Sequence, residues 1–130
     1  RGRAFAYGYT SGVTATTIWT LTGPSENEAL FGFSVANAGD LDRDGRSDIL
    51  VGAPYADGAG TDRGRVTVYA GASGISLFSI TGLESSGLLG KSVCGTGDTD
   101  GDGYADFMFG EPGASNSGSS RGRSYLYVGP

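Results

Sequence analysis

The sequence predicts an all-β protein built from repeated units of four short strands, and three observations predict it. A pattern running from Phe31 to Pro54 recurs from Leu89 to Pro112, with Asp40 and Asp98 at equivalent places 58 residues apart. Short runs such as Arg65–Tyr69 and Ser76–Ile80 alternate and favour β-branched or aromatic residues, as strands do. Gly, Pro, Ser and Asp clusters separate these runs, and Gly alone makes up 25 of 130 residues.

In one unit the strands are expected at Phe31 to Ala36 (type A), Asp48 to Ala53 (type B), Arg65 to Ala70 (type C) and Ile75 to Thr81 (type D). Ile49 to Val51 and Phe107 to Phe109 are continuously apolar, which suits a strand covered on both faces. Type C recurs three times, as Arg1-Gly2-Arg3 to Tyr7, Arg63-Gly64-Arg65 to Tyr69 and Arg121-Gly122-Arg123 to Tyr127. Trp19 to Gly23 matches Phe78 to Gly82 as type D. The chain then divides into a partial unit of two strands over 1–30, a complete unit over 31–88 and a partial unit of three strands over 89–130. Glu26 to Leu30 is expected to make one helical turn. Thr10 to Thr17 and Ser115 to Ser120 read as plain flexible loops, with O-linked sugars as the less favoured reading. The start at Arg1 and the end at Pro130 read as a mature or excised piece.

Composition narrows the function. The chain has no His, which removes the Ser-His-Asp triad and most zinc and copper sites. One Cys excludes an internal disulfide; Cys94 aligns with Ala36, so a small buried residue is expected there. The net charge of −5 argues against a nucleic-acid partner, whose affinity comes largely from basic side chains. No apolar run approaches the roughly 20 residues of a transmembrane helix, so no membrane insertion is expected.

The acidic residues carry the chemistry. Asp40, Asp42, Asp44 and Asp48 stand at positions 1, 3, 5 and 9 of a loop with Gly45 at position 6. Asp98, Asp100, Asp102 and Asp106 repeat this spacing around Gly103. Eight of the 14 acidic residues thus crowd into two short windows, where bare carboxylates would repel one another. Calcium fits best, because it accepts about six to eight oxygens in flexible geometry; magnesium, with its stricter octahedron, ranks second. The backbone carbonyls of Arg46 and Tyr104 would supply the position-7 ligands, giving two calcium sites per chain. The loops are not EF-hands, since position 12 is Val51 or Phe109 and not a bidentate Glu.

Phe31-Gly32, the Asp-x-Asp-x-Asp-Gly-x-x-Asp loop and Gly52-Ala53-Pro54 together resemble the FG-GAP repeat of integrin α-subunit β-propellers. The second copy departs from it, with Leu89-Gly90 and Gly110-Glu111-Pro112. The resemblance implies propeller-type blades of four antiparallel strands, type A innermost, with calcium clamping the A–B loop. It implies an extracellular or cell-surface setting and a role in adhesion or scaffolding. About two repeats cannot close a propeller, which typically needs about four to eight blades. The partners expected are therefore copies of the chain itself, as a ring or fibre, or the remaining blades of a parent protein.

Other readings rank lower. Tyr7, Tyr9, Tyr69, Tyr125, Tyr127 and Trp19 could stack on glycans, but strand aromatics more often pack between blades. Six of the nine basic residues lie in the Arg-Gly-Arg segments and read as edge charges paired with acids. An enzyme is not expected. A glycosidase needs two carboxylates in separate environments, and outside the loops only a few acids remain, among them Glu84 and Glu111.

Overall fold

The computed structural model describes residues 2–10, 14–23, 29–115, 119 and 121–129. Within them the chain forms nine strands. These are β1 (Arg3–Thr10), β2 (Thr14–Thr22), β3 (Ser34–Gly39), β4 (Asp48–Ala53), β5 (Arg65–Tyr69), β6 (Ser76–Thr81), β7 (Ser92–Gly97), β8 (Asp106–Glu111) and β9 (Arg123–Tyr127). They pair only with sequence neighbours, all antiparallel, into three sheets ordered β1-β2, β3-β4-β5-β6 and β7-β8-β9. No helix occurs among the described residues, and the sheets do not close into a ring.

The sheets stack, and side chains fill the two seams between them. β4 shows how. Its residues alternate between faces, so Leu50 enters the seam with the third sheet, beside Val66, Val68, Leu89, Phe107 and Phe109. Val51 enters the opposite seam, beside Leu21, Phe31, Ala53 and Ala56. Both are fully buried, which is why this strand is apolar without alternation. Each such side chain stabilises the stack by roughly 1.5–3 kcal/mol. Rings close the later seam: Tyr127 stacks on Phe107 at 4.8 Å and on Phe78 at 5.2 Å, and Tyr125 stacks on Phe109 at 5.2 Å.

Three expectations need correction. Strand A runs over Ser34–Gly39, three residues later than Phe31 to Ala36. Phe31 and Gly32 form the entry turn instead. Phe31 is buried, Phe33 N–H donates to the Leu30 carbonyl, and Gly32 (φ 87°) packs on the Arg3 carbonyl, where a Cβ would collide. The expected loop Thr10 to Thr17 is partly strand: β2 already begins at Thr14, and its β-branched threonines pair with β1. The helical turn expected at Glu26 to Leu30 lies mostly outside the described residues, which omit 24–28; Ala29 and Leu30 are not helical. Cys94 is exposed, not buried. Its counterpart Ala36 packs into the seam with the third sheet.

Candidate metal centres

The two acidic loops join the first two strands of their sheets at the same end of the stack. The first leaves β3 through Gly39 (φ 74°), at a register shift against β4, and returns at Asp48, the first residue of β4. Leu41 is buried beneath it and anchors it to the core. Asp48 is 1% exposed. Its Oδ2 accepts from Leu41 N–H at 2.8 Å and its Oδ1 from Gly71 N–H at 3.0 Å. Asp40 Oδ1 accepts from Asp44 N–H at 3.0 Å and Oδ2 from Gly45 N–H at 2.9 Å, which curls the loop round this carboxylate. Asp42 Oδ1 accepts from Asp44 N–H at 3.1 Å. Gly45 has φ 87°, and nothing crowds the place of its Cβ, so the backbone angle and not space makes glycine the fitting residue.

The second loop repeats this from β7 to β8. Asp98 accepts from Gly101 N–H at 2.7 Å and Gly103 N–H at 2.9 Å. Asp100 accepts from Asp102 N–H at 3.1 Å. Asp106, fully buried at the head of β8, accepts from Thr99 N–H and Oγ–H and from Gly129 N–H.

Carboxylate oxygens of Asp40, Asp42 and Asp48 lie within 4.8 Å of one another, and so do those of Asp98, Asp100 and Asp106. Asp44 and Asp102 stand outside these trios. Each turns Oδ1 to the N–H two residues on, Arg46 at 2.8 Å and Tyr104 at 2.7 Å. Arg46 and Tyr104 occupy the seventh loop positions. The donors Leu41, Thr99, Gly71 and Gly129 were not singled out from sequence. The repeat carried a signal for two of them, since Gly71 and Gly129 both follow a type C strand and stand 58 residues apart.

The residues fit a hard divalent cation on two grounds. The donors are all oxygen. At Asp48, burial pushes the carboxyl above its usual range; the Gly71 and Leu41 N–H groups oppose this, and the charges of Asp42 and Asp44 add to it. A cation among the three carboxylates would offset both the burial and the repulsion. Asp106 lies below its usual range, chiefly because the Thr99 hydroxyl donates to it, with the Gly129 and Thr99 N–H groups adding. The difference follows from Thr99 standing where the first loop has Leu41.

The aromatic and acidic residues outside the loops are mostly engaged. Trp19 Nε1–H donates to the Gly71 carbonyl at 3.1 Å, and Tyr69 packs edge-on against Phe31. The side chain of Tyr9 lies outside the described residues. Glu84 pairs with Arg123 at 2.7 Å and accepts from Ser115 N–H and Oγ–H. Glu111 is buried and accepts from the Tyr125 hydroxyl at 2.6 Å.

The FG-GAP repeat family model matches residues 31–69 and 89–127, two spans that each contain one acidic loop. The chain is 32% identical to integrin alpha-5 of Xenopus laevis over 98% of its own length and 13% of the relative's. It is 35% identical to integrin alpha-8 of Mus musculus, covering 95% of this chain and 12% of that one. It is 42% identical to integrin alpha-IIb of Homo sapiens, over 65% and 8% respectively. The chain therefore spans about an eighth or less of the relatives it matches. Its antiparallel sheets are blades of the β-propeller type, and the chain belongs to the FG-GAP repeat family.

Proposed function

We propose that this chain is a non-catalytic, calcium-clamped set of blades in an extracellular adhesion or scaffolding protein. The observation that carries this is the pair of carboxylate trios, each within 4.8 Å, at the same place in two successive repeats. Calcium would be held by Asp40, Asp42, Asp44, the Arg46 carbonyl and Asp48, and by Asp98, Asp100, Asp102, the Tyr104 carbonyl and Asp106. When bound, the ion supplies positive charge that fixes the loop; it does no covalent chemistry. The chain's own part is to hold the buried carboxylate at the base of each trio with backbone donors from two directions.

Membership of a family shared with integrin alpha chains supports the adhesive reading and the cell-surface setting. The state of Glu84 and Glu111 supports a non-catalytic role. Glu84 is held in an ion pair and Glu111 is sealed in a seam, so neither is presented as an acid or nucleophile to a substrate. Further sheets of the same kind, from a longer propeller or from a second copy, are the partners that the open sheet faces suit.

Calcium titration by calorimetry tests the metal assignment. The expected stoichiometry is two per chain, with Kd on the order of 10⁻⁴ to 10⁻³ M as in extracellular modules. Asp42→Ala should remove the first site and leave the second. A stoichiometry still at two in that variant would show that the ligands have been assigned wrongly.

A further inference from the structure

We propose that Arg43 and Tyr104 are a positioning pair that couples the two acidic loops, so that each loop's affinity for calcium depends on a side chain of the other. This rests on the calcium reading above. The loops match position for position at every acid and at the glycine of position 6. At position 4 they differ: the second loop has Gly101 and the first has Arg43. Both backbones are left-handed there, Gly101 at φ 83° and Arg43 at φ 60°. That region favours glycine, and the first loop nevertheless places a long cationic residue in it.

The side chain leaves its own loop. The Arg43 guanidinium carbon lies 3.4 Å from the centroid of the Tyr104 ring, over its face. Arg43 Nη2 also comes within 3.2 Å of the place a Cβ on Gly103 would occupy. The contact therefore falls on the turn of the second loop. Below it the two loop bases interlock, because a Cβ on Gly39 would collide with the Ala105 side chain. Both partners adjoin proposed ligands. Arg43 sits between Asp42 and Asp44, and the backbone of Tyr104 carries the position-7 carbonyl of the second site. A cation that fixes one loop fixes one end of the contact, and the contact restrains the backbone at the other end. Such coupling is reciprocal by thermodynamic necessity. A surface cation–π contact sets its scale at about a two- to five-fold change in affinity.

Calorimetric titration with calcium alone tests this on the full chain, with the two sites assigned from Asp42→Ala and Asp100→Ala. Arg43→Gly should weaken binding at the Asp98 loop about two- to five-fold, although no ligand of that loop has changed. Arg43→Lys, which keeps a cation over the ring, should recover most of this. Tyr104→Leu should weaken the Asp40 loop to a similar degree, and Arg43→Gly with Tyr104→Leu should be no worse than either alone. Melting without metal is the control: a merely structural role would lower the Tm of Arg43→Gly and leave the affinities alone. Two sites of unchanged affinity in Arg43→Gly would overturn the coupling while the calcium reading stands. No calcium binding in the parent chain would overturn both.

Discussion

Asp48 and Glu84 place carboxylates under opposite influences. Asp48 is buried among like charges and sits above its ordinary range. Glu84 sits below its ordinary range, chiefly because Ser115 N–H and Oγ–H donate to it, with Arg123 adding its charge. A carboxyl depressed in the folded state contributes stability that is present above its unfolded pKa and lost as pH falls through the folded value. Acid should therefore loosen the anchor between Glu84 and the segment at Ser115. The protection of the Ser115 amide against hydrogen exchange should fall as the pH drops below the ordinary glutamate value of 4.5. Glu84→Gln should flatten that dependence; an equal fall in the variant would show that another group controls it. At this scale the clustering of Asp40, Asp42 and Asp48, and of Asp98, Asp100 and Asp106, was legible because each group is local, written in spacing alone. Arg43 over Tyr104 was not, because two residues 61 positions apart meet only through the stacking of sheets.

Among the elements, strand B and strand C were legible almost to the residue, since their apolar runs begin after turn residues that end the preceding segment. Strand A was not. Phe31 looks like a strand residue by propensity, but it serves as the buried anchor of a turn whose glycine must approach the Arg3 backbone. The exposure of Cys94 was hidden for a related reason. Alignment reports which residue corresponds to which, but not whether a neighbouring sheet lies against it.

Equivalent positions in β3 and β7 show the same contrast. Val93 packs into the seam, while Val35 is 58% exposed beside a cleft of about 650 Å³ between β1 and the inner strands of the second sheet. Tyr127 stacks on Phe78 of the second sheet and Tyr125 packs against the seam cluster, while their counterparts Phe5 and Tyr7 are more than half exposed and stacked on each other. Val35, Phe5 and Tyr7 thus each have a partly buried counterpart that shows what such a face takes: another sheet of this kind. If copies supply that sheet, light scattering in millimolar calcium should give a mass that rises with concentration, and Val35→Asp should lower it. A concentration-independent monomer would assign the faces to further blades of a longer chain.

The whole molecule joins a rigid interior to acidic loops at one end. Leu41 beneath the first loop, and Asp106 bound from two sides at the head of β8, tie the loops to the seam in which Phe107 and Leu50 are buried. Calcium at the loops should accordingly stabilise the stack and not only the loops. The contribution of each site is about 2.7 kcal/mol when calcium is a hundredfold above its Kd. In a domain of this size that corresponds to roughly 10 °C in Tm for one site. The most direct test of the central claim is thermal unfolding of the chain in excess calcium and again in excess chelator. The account predicts a Tm higher by about 10 °C or more with calcium, with the gain reduced in Asp42→Ala and again when Asp100→Ala is added. A Tm that chelation leaves unchanged would contradict it.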